Sequence, residues 1–177
     1  MRRETVRSCK LAAEDAGNGV NAKIAAVSID AGDVRPAAVT IYNAIDHKWV
    51  RRFRANEADS DLSFPALAIF PFGKLEVIDV EVKTVVRDAR LKVGYAWLFA
   101  DTDPLEVRSA GDYYNRALLQ HLHWFSRNDQ TSAFRTRNGI IIRGIDAISQ
   151  DDVAENWEGA ACVAQTIVTY RIRETQP

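Results

Sequence analysis

The sequence predicts an α+β fold, in which a mostly antiparallel sheet contains one long hairpin and is covered by two or three helices. Two observations lead to this prediction. Apolar and charged residues alternate over two consecutive segments in the middle of the chain, as in paired strands with one buried face. Helical periodicity is confined to the start of the chain and to the segment before its last two strands, so the regular alternation of a parallel βαβ fold is not expected.

Length and composition place residues 1–177 in a single α+β domain. The chain has 177 residues, of which 47% are hydrophobic, and this is the size and apolar content of one globular domain. It contains no internal repeat, no low-complexity tract and no long linker. No apolar run approaches the roughly 18 residues that span a bilayer, so we expect no membrane partner.

The first elements are predicted to be two helices and two strands. Apolar residues at three- and four-residue spacing predict an amphipathic helix over residues 4–16. A second, short helix is predicted over 20–29. The β-branched residues of 36–43 predict a strand, and the apolar segment 65–72 predicts another, which Gly73 is expected to close.

The middle of the chain is predicted to form a long antiparallel hairpin. Residues 77–87 alternate between apolar and charged, so we expect a strand with Ile78 and Val80 on its buried face. A turn is predicted at Asp88-Ala89. The alternation then resumes over 91–99, which predicts the second strand of the hairpin.

The strongest helix signal lies in residues 104–126. Asp103 can cap this helix, a proline occupies its first position, and apolar residues then recur at helical spacing. We therefore expect this helix to cover the apolar face of the hairpin. Two more strands are predicted, one over 140–148 and a closing strand over 159–173.

No catalytic, cofactor or metal site is predicted, and we expect a protein that is not an enzyme. The sequence lacks the glycine-rich and nucleophile motifs of nucleotide-binding and hydrolytic sites. His121 and His123 are two positions apart on the predicted helix, so they point about 200° apart and cannot share one ion. Cys9 and Cys162 are far apart in the sequence and lie on inward-facing positions, which predicts two buried, reduced thiols.

The segment Trp49-Val50-Arg51-Arg52-Phe53-Arg54 is the candidate interface. Arginine beside aromatic residues is favoured at subunit interfaces and along nucleic-acid backbones, although a solvated edge strand has the same composition. With 23 Lys plus Arg against 24 Asp plus Glu, the formal charge of −1 gives no bulk attraction to nucleic acid. We therefore expect this segment to contact other subunits, through Trp49, Arg51, Arg52, Phe53 and Arg54.

A small ligand-binding domain or enzyme is the alternative from a different functional class. Its pocket would lie between the helix 104–126 and the sheet, lined by Trp97, Tyr113, Tyr114 and Trp124. These aromatic residues also have the helical and strand spacing of core residues, which favours packing over ligand binding.

In their order, the predicted elements resemble the tail-terminator family of tailed bacteriophages. The first helix precedes a strand that ends near Phe72, the charged-outward hairpin of 77–99 follows, and the helix 104–126 contains Tyr113-Tyr114 and Leu118. The closing strand reads Ala164-Gln165-Thr166-Ile167-Val168-Thr169-Tyr170-Arg171 and is similar to the family's terminal strand. Residues 35–56 and the acidic loop 150–157 depart from the pattern and are candidate insertions that bind neighbouring virion proteins.

The resemblance implies a virion structural protein without an active site. Such a protein forms a homo-oligomeric ring, six-fold in the family, that caps the tail tube and joins it to the neck. Its partners would be tail-tube and neck or connector proteins, with DNA passing through the lumen. It would be made in the host cytoplasm and located in the virion tail or neck. Another neck or tail-completion component, or a tail-tube subunit, would share this architecture and stays open.

Overall fold

The described part of the chain contains three helices and one six-stranded sheet. A computed structural model describes residues 1–47, 63–81, 86–99, 104–129, 132–151 and 163–175. The elements are α1 (Arg2–Ala13), α2 (Val20–Ala26), β1 (Thr40–Asn43), β2 (Ala66–Glu81), β3 (Val86–Leu98), α3 (Pro104–Arg127), β4 (Thr136–Arg137), β5 (Ile140–Asp151) and β6 (Val163–Thr175). None of these helices combines the length and the apolar character needed to cross a membrane.

The sheet has the strand order β1-β2-β3-β6-β5-β4. Neighbouring strands are antiparallel except β1 and β2, which are parallel. The predicted α+β class and the mostly antiparallel sheet are therefore confirmed. β2 and β3 form the long hairpin, and the closing strand β6 lies in the middle of the sheet, between β3 and β5.

The main core lies between the helices and one face of the sheet, here called the helix-side face. Alternate residues of β3 and β6 point into this core and are almost completely buried, as their alternation predicts: Leu91, Val93, Tyr95, Trp97, Thr166, Val168, Tyr170 and Ile172. Full burial of one large apolar side chain stabilises a fold by about 1.5–3 kcal/mol. These two central strands therefore carry much of the apolar stabilisation of the domain.

Two helices contribute most of the opposite wall of the core. α1 places Val6, Cys9, Ala12 and Ala13 against the sheet, and its small side chains let the helix approach closely. α3 contributes the buried residues Tyr114, Ala117, Leu118, His121, Leu122 and Phe125, at the predicted helical spacing. Asp103, the predicted cap of α3, lies outside the described residues.

Several predicted boundaries move because side chains bond to the backbone. α1 ends at Ala13 rather than at residue 16, since the Asp15 carboxylate accepts bonds from the Gly17 and Asn18 N–H groups and turns the chain. The strand predicted over 36–43 begins only at Thr40. Before it, the Asn21 side-chain amide bonds to both the N–H and the carbonyl of Val39, where a strand partner would otherwise bond.

The largest correction concerns the hairpin. Gly73 does not close a strand, because with φ +70° it lies in an irregular stretch within one continuous strand, β2. The predicted turn at Asp88-Ala89 is also wrong. Both residues lie inside β3, where Ala89 is a buried core residue opposite Val77 of β2. The connection between the two strands falls at residues 82–85, outside the described residues.

The predicted burial of Ile78 and Val80 is wrong as well. Their side chains are 47% and 54% exposed, and that of Val77 is 47% exposed. Within the described residues, the pairing with β1 ends at Ile69 and does not reach this half of β2. The ladder also skips a residue between Val77 and Asp79, which breaks the simple alternation.

A close approach between an aromatic ring and a glycine joins β2 to β3 on the face away from the helices. Phe70 lies opposite Gly94, and a Cβ atom added at Gly94 would collide with the Phe70 ring. The ring therefore covers the glycine backbone, an arrangement known to stabilise glycine within strands. Around this pair lies a second, smaller apolar cluster of Tyr42, Ala44, Ala66, Ala68, Ala96 and Leu98.

Candidate functional site

The candidate interface predicted from the sequence cannot be placed in the fold. Its residues, Trp49, Arg51, Arg52, Phe53 and Arg54, lie outside the described residues, as does Cys162. Of the candidate insertion 35–56, residues 40–43 form β1 and thus belong to the sheet. Of the loop 150–157, only the first two residues are described, and they end β5.

The aromatic residues that were expected to line a pocket between α3 and the sheet fill that space. Trp97 is completely buried, its ring lies 5.0 Å from the Tyr114 ring, and its Nε1 donates to Asn115 Oδ1 at 2.8 Å. The Tyr114 hydroxyl donates to the Ala37 carbonyl at 2.9 Å. These contacts use the polar atoms of both side chains inside the fold.

The other two aromatic residues also have partners within the fold. The Tyr113 hydroxyl donates to Asp33 Oδ2 at 2.6 Å and accepts from the Asp30 N–H at 3.0 Å, so it holds the loop after α2 against α3. The half-buried Trp124 packs edge-on against Phe134, with 5.6 Å between ring centroids. The four residues therefore serve packing and loop anchoring in this structure.

The two histidines of α3 point in different directions, as their spacing predicts. His121 is buried, and its Nδ1 donates to the Asn18 carbonyl at 3.0 Å, whereas His123 is exposed. Burial lowers the pKa of His121 below the usual range. Among the described residues, no group of three or more His, Cys, Asp or Glu side chains is arranged to hold a metal ion.

Three polar side chains meet inside the main core. The hydroxyl oxygens of Tyr95 and Tyr170 are 2.6 Å apart, and the buried Cys9 thiol interacts electrostatically with both side chains. Burial raises the pKa of Cys9 to about 11 and raises the pKa of both tyrosines well above their usual range. The buried, free state predicted for Cys9 is confirmed, and a protonated, inaccessible thiol is not a nucleophile.

A surface cavity of about 230 Å³ lies where α1 ends, beside α2 and β1. The polar groups in its wall include Asp15 and Asn21. Both side chains are already bonded to the backbone of this chain, to Gly17 and Asn18 and to Val39, respectively. Glu14, also in the wall, pairs with Lys10 at 3.1 Å, so each of these three side chains already has a partner in this chain.

The face of the sheet away from the helices, here called the open face, carries a lattice of ion pairs. Asp146 of β5 bridges two arginines, with Arg90 Nε at 2.9 Å and Arg171 Nε at 3.1 Å. Next to it, Arg173 forms a bidentate pair with Asp88, at 2.8 and 2.7 Å. The hydrogen bonds and charge of Arg173 lower the pKa of Asp88. Each described carboxylate in this lattice thus neutralises a neighbouring cation.

Besides the outer edges of the short strands β1 and β4, two longer strands have open edges within the described residues. β1 pairs with β2 only along Ala66–Ile69, so residues 72–81 of β2, here called the β2 edge, have no strand beside them on that side. On the other side of the sheet, β4 and the Arg135 backbone cover β5 only as far as Ile142. Residues 143–151, here called the β5 edge, are open in the same sense.

Both edges carry exposed apolar side chains. On the β2 edge these are Phe72, Val77, Ile78 and Val80, and on the β5 edge Ile148 is 42% exposed. Unpaired strand edges with apolar side chains favour pairing with another chain. The sequence did not predict these edges, and the one signal that could have suggested them was the presence of β-branched residues on a strand with acidic neighbours.

Comparison with known proteins gives no match, either to a protein-family model or to a curated protein. The two edges, the open face and the order of the elements are therefore the observations from which a function can be inferred.

Proposed function

We propose that this chain is a virion structural protein, a tail terminator that forms a ring, caps the tail tube and joins it to the neck. The observation that carries the proposal is the presence of two different open edges on opposite sides of one sheet. A subunit with two different docking edges associates head to tail, and such contacts give a ring when the rotation between copies closes. The six-fold number comes from the resemblance alone.

The order of the described elements supports the same proposal. The N-terminal helix α1, the long β2–β3 hairpin, the helix α3 and the closing strand β6 follow one another as in the resemblance to tail terminators. The hairpin is longer than the sequence predicts, because β2 continues through Gly73. A longer hairpin extends the surface that the subunit can offer to neighbours.

The open face has the properties that a surface beside passing DNA requires. Its three arginines, Arg90, Arg171 and Arg173, are paired with two carboxylates, Asp146 and Asp88, so an excess of one positive charge is left in the lattice. Binding to DNA depends on unpaired cations that replace the counterions of phosphate. A lattice of paired charges gives little of this attraction, which lets DNA move along the lumen.

A ligand-binding or enzymatic role competes less well with these observations. A pocket between α3 and the sheet would require Trp97 and Tyr114 to give up their packing and their hydrogen bonds. Removal of a large buried aromatic side chain from its contacts typically costs about 3–5 kcal/mol.

Electron microscopy of the phage particles that contain this chain tests the proposal. We expect density for a ring of this fold at the head-proximal end of the tail, and tails of uncontrolled length when the chain is removed by a nonsense mutation. A ring elsewhere in the tail or neck would instead support the tail-tube or neck-component alternatives. A virion role would be contradicted if the chain were absent from purified phage particles and the isolated protein were a monomer that binds a small molecule.

A further inference from the structure

We infer that neighbouring subunits join by antiparallel pairing of the β2 edge of one copy with the β5 edge of the next. This inference rests on the proposed ring and adds to it the partner surface and the strand register. The partner at each edge is thus a second copy of this chain: the β2 edge binds the β5 edge of one neighbour, and the β5 edge binds the β2 edge of the other.

The directions of the strands fit this pairing. β2 is antiparallel to β3, β3 to β6, and β6 to β5, so β2 and β5 run in opposite directions within one subunit. A second copy placed beside the first in the same orientation therefore presents its β5 antiparallel to β2. The two edges, 72–81 and 143–151, are also of nearly equal length.

The positions of the two edges give the contact a stagger. Across the sheet, Val77 of the β2 edge is level with Ala89, Ile172 and Ile142, where β5 is covered. The β5 edge lies towards the other end of the sheet, level with the part of β2 nearer β1. Consecutive copies must therefore shift along the strand direction to pair their edges, and strands in a closed cylinder require such a shift.

The apolar side chains of the two edges match in one register. Ile145 and Ile148 lie opposite Tyr170 and Val168, which point to the helix-side face. Val77 lies opposite Ala89, which points to the same face. Val80 lies opposite Arg87, two positions from Ala89 in β3, so Val80 also belongs to the helix-side face.

Local irregularities give both edges the same spacing. In each edge the two apolar residues of this face are three positions apart, because each ladder skips one residue between them. Antiparallel pairing that sets Val77 beside Ile148 therefore sets Val80 beside Ile145.

Charge favours this head-to-tail contact over a two-fold contact between identical edges. The β2 edge exposes Glu76, Asp79 and Glu81 against Lys74, so two β2 edges together would oppose like charges. In the register above, Glu81 comes close to the exposed Arg143 of the next copy.

One pair of like charges in this register is compensated. Asp79 comes opposite Asp146, but the Asp146 carboxylate is already bound by Arg90 and Arg171. That group of three side chains has an excess of one positive charge, which is complementary to Asp79.

Native mass spectrometry and light scattering of the full chain test the pairing through two blocking variants. Val80→Asp places a charge on the β2 edge, and Ile148→Asp places one on the β5 edge. We expect the wild-type chain to form closed oligomers and each variant alone to be a folded monomer, as judged by circular dichroism. Leu119→Asp, at a similarly exposed apolar position on α3, is the control and should assemble like the wild type.

A mixture of the two blocked variants distinguishes a head-to-tail contact from any other. Each variant keeps one intact edge, and the intact edges are complementary, so the mixture should form dimers that stop growing.

The register is tested by Val77→Cys together with Ile148→Cys in a Cys162→Ser background, which should form disulfides between subunits on mild oxidation. The combination of Val77→Cys with Leu119→Cys is the control and should form no disulfides between subunits.

The outcomes separate this inference from the proposed ring function. Oligomers that persist in both aspartate variants would overturn the edge pairing while leaving a ring through another surface possible, and microscopy of particles decides that question independently. A wild-type chain that is monomeric at every concentration tested would also overturn self-association through these edges. An absence of dimers in the mixture would overturn the head-to-tail arrangement.

Discussion

The two halves of β2 differ sharply in their surroundings although they belong to one strand and share one partner, β3. In the first half, Ala66, Leu67, Ala68 and Ile69 are almost completely buried. In the second half, Val77, Ile78 and Val80 are about half exposed. The side chains are similarly apolar, so hydrophobicity does not explain the difference. The first half has β1 on its outer side and apolar clusters on both faces, whereas in the second half Leu75 packs against the main core but Val77, Ile78 and Val80 belong to neither cluster and β1 does not extend beside them.

This difference separates stabilisation of the fold from association. Apolar area that is already buried contributes to folding, whereas apolar area that is still exposed can contribute only when a partner covers it. The first half of β2 therefore belongs to the core of the subunit. The second half belongs, in the proposed assembly, to the interface between subunits.

The largest expected effect is the contrast between truncations in the two halves. Leu67→Ala removes a fully buried side chain and should lower the free energy of unfolding by about 2–5 kcal/mol. Val80→Ala removes a half-exposed side chain and should change it by no more than about 0.5 kcal/mol. Urea unfolding followed by circular dichroism, with both variants and the wild type at the same low concentration, measures both values. Equal losses would show that the second half is covered in solution.

A smaller effect is expected from the buried pair of hydroxyl groups, those of Tyr95 and Tyr170, on the helix-side face of the sheet. Tyr95→Phe or Tyr170→Phe leaves a buried polar group with one partner fewer, which should cost about 1–3 kcal/mol. The double variant should cost less than the sum of the two, because each single change already breaks the shared bond. A double-mutant cycle from urea unfolding gives the coupling. Tyr113→Phe, which loses a bond to an exposed loop, is the control, and strictly additive losses would contradict the coupling.

The smallest effect is a pH dependence that separates the buried from the exposed side of α3. Burial lowers the pKa of His121 in the folded chain, whereas the unfolded chain has the ordinary value of about 6.5. As the pH falls through that value, the unfolded chain binds a proton that the folded chain does not. The free energy of unfolding should therefore decrease with falling pH.

Two matched variants test this dependence. His121→Gln should reduce the slope of stability against pH just below 6.5, and His123→Gln, at an exposed position of the same helix, is the matched control for the substitution. Unfolding measured over a pH series compares the slopes rather than the absolute stabilities. An unaltered slope in His121→Gln would show that another group causes the dependence.

The features that could be predicted from the sequence are those with long, regular patterns. The helices α1 and α3 and the alternation of β3 and β6 follow from residues that repeat over several turns or pairs, and a repeat over that length overrides local exceptions. The mostly antiparallel sheet followed from the hairpin. The α+β class required no knowledge of which strands are neighbours.

The remaining features depend on contacts between distant parts of the chain. β1 begins at Thr40 because Asn21, far away in the sequence, bonds to Val39. Asp88-Ala89 resembles a turn locally, yet Ala89 fits a crowded position in the core. An open edge is a property of the strand order, since the same residues would be buried beside another strand. The functional residues proposed from the structure were therefore not visible in the sequence, and Trp49–Arg54 stays a prediction.

The contact between Phe70 and Gly94 has a consequence for the evolution of this chain. A side chain at position 94 would collide with the ring at position 70, so neither position can change freely without the other. Among related sequences, we expect the two positions to vary together: a small residue at 70 should accompany any larger residue at 94. Such covariation would mark the β2–β3 register in distant relatives whose overall sequence similarity has been lost.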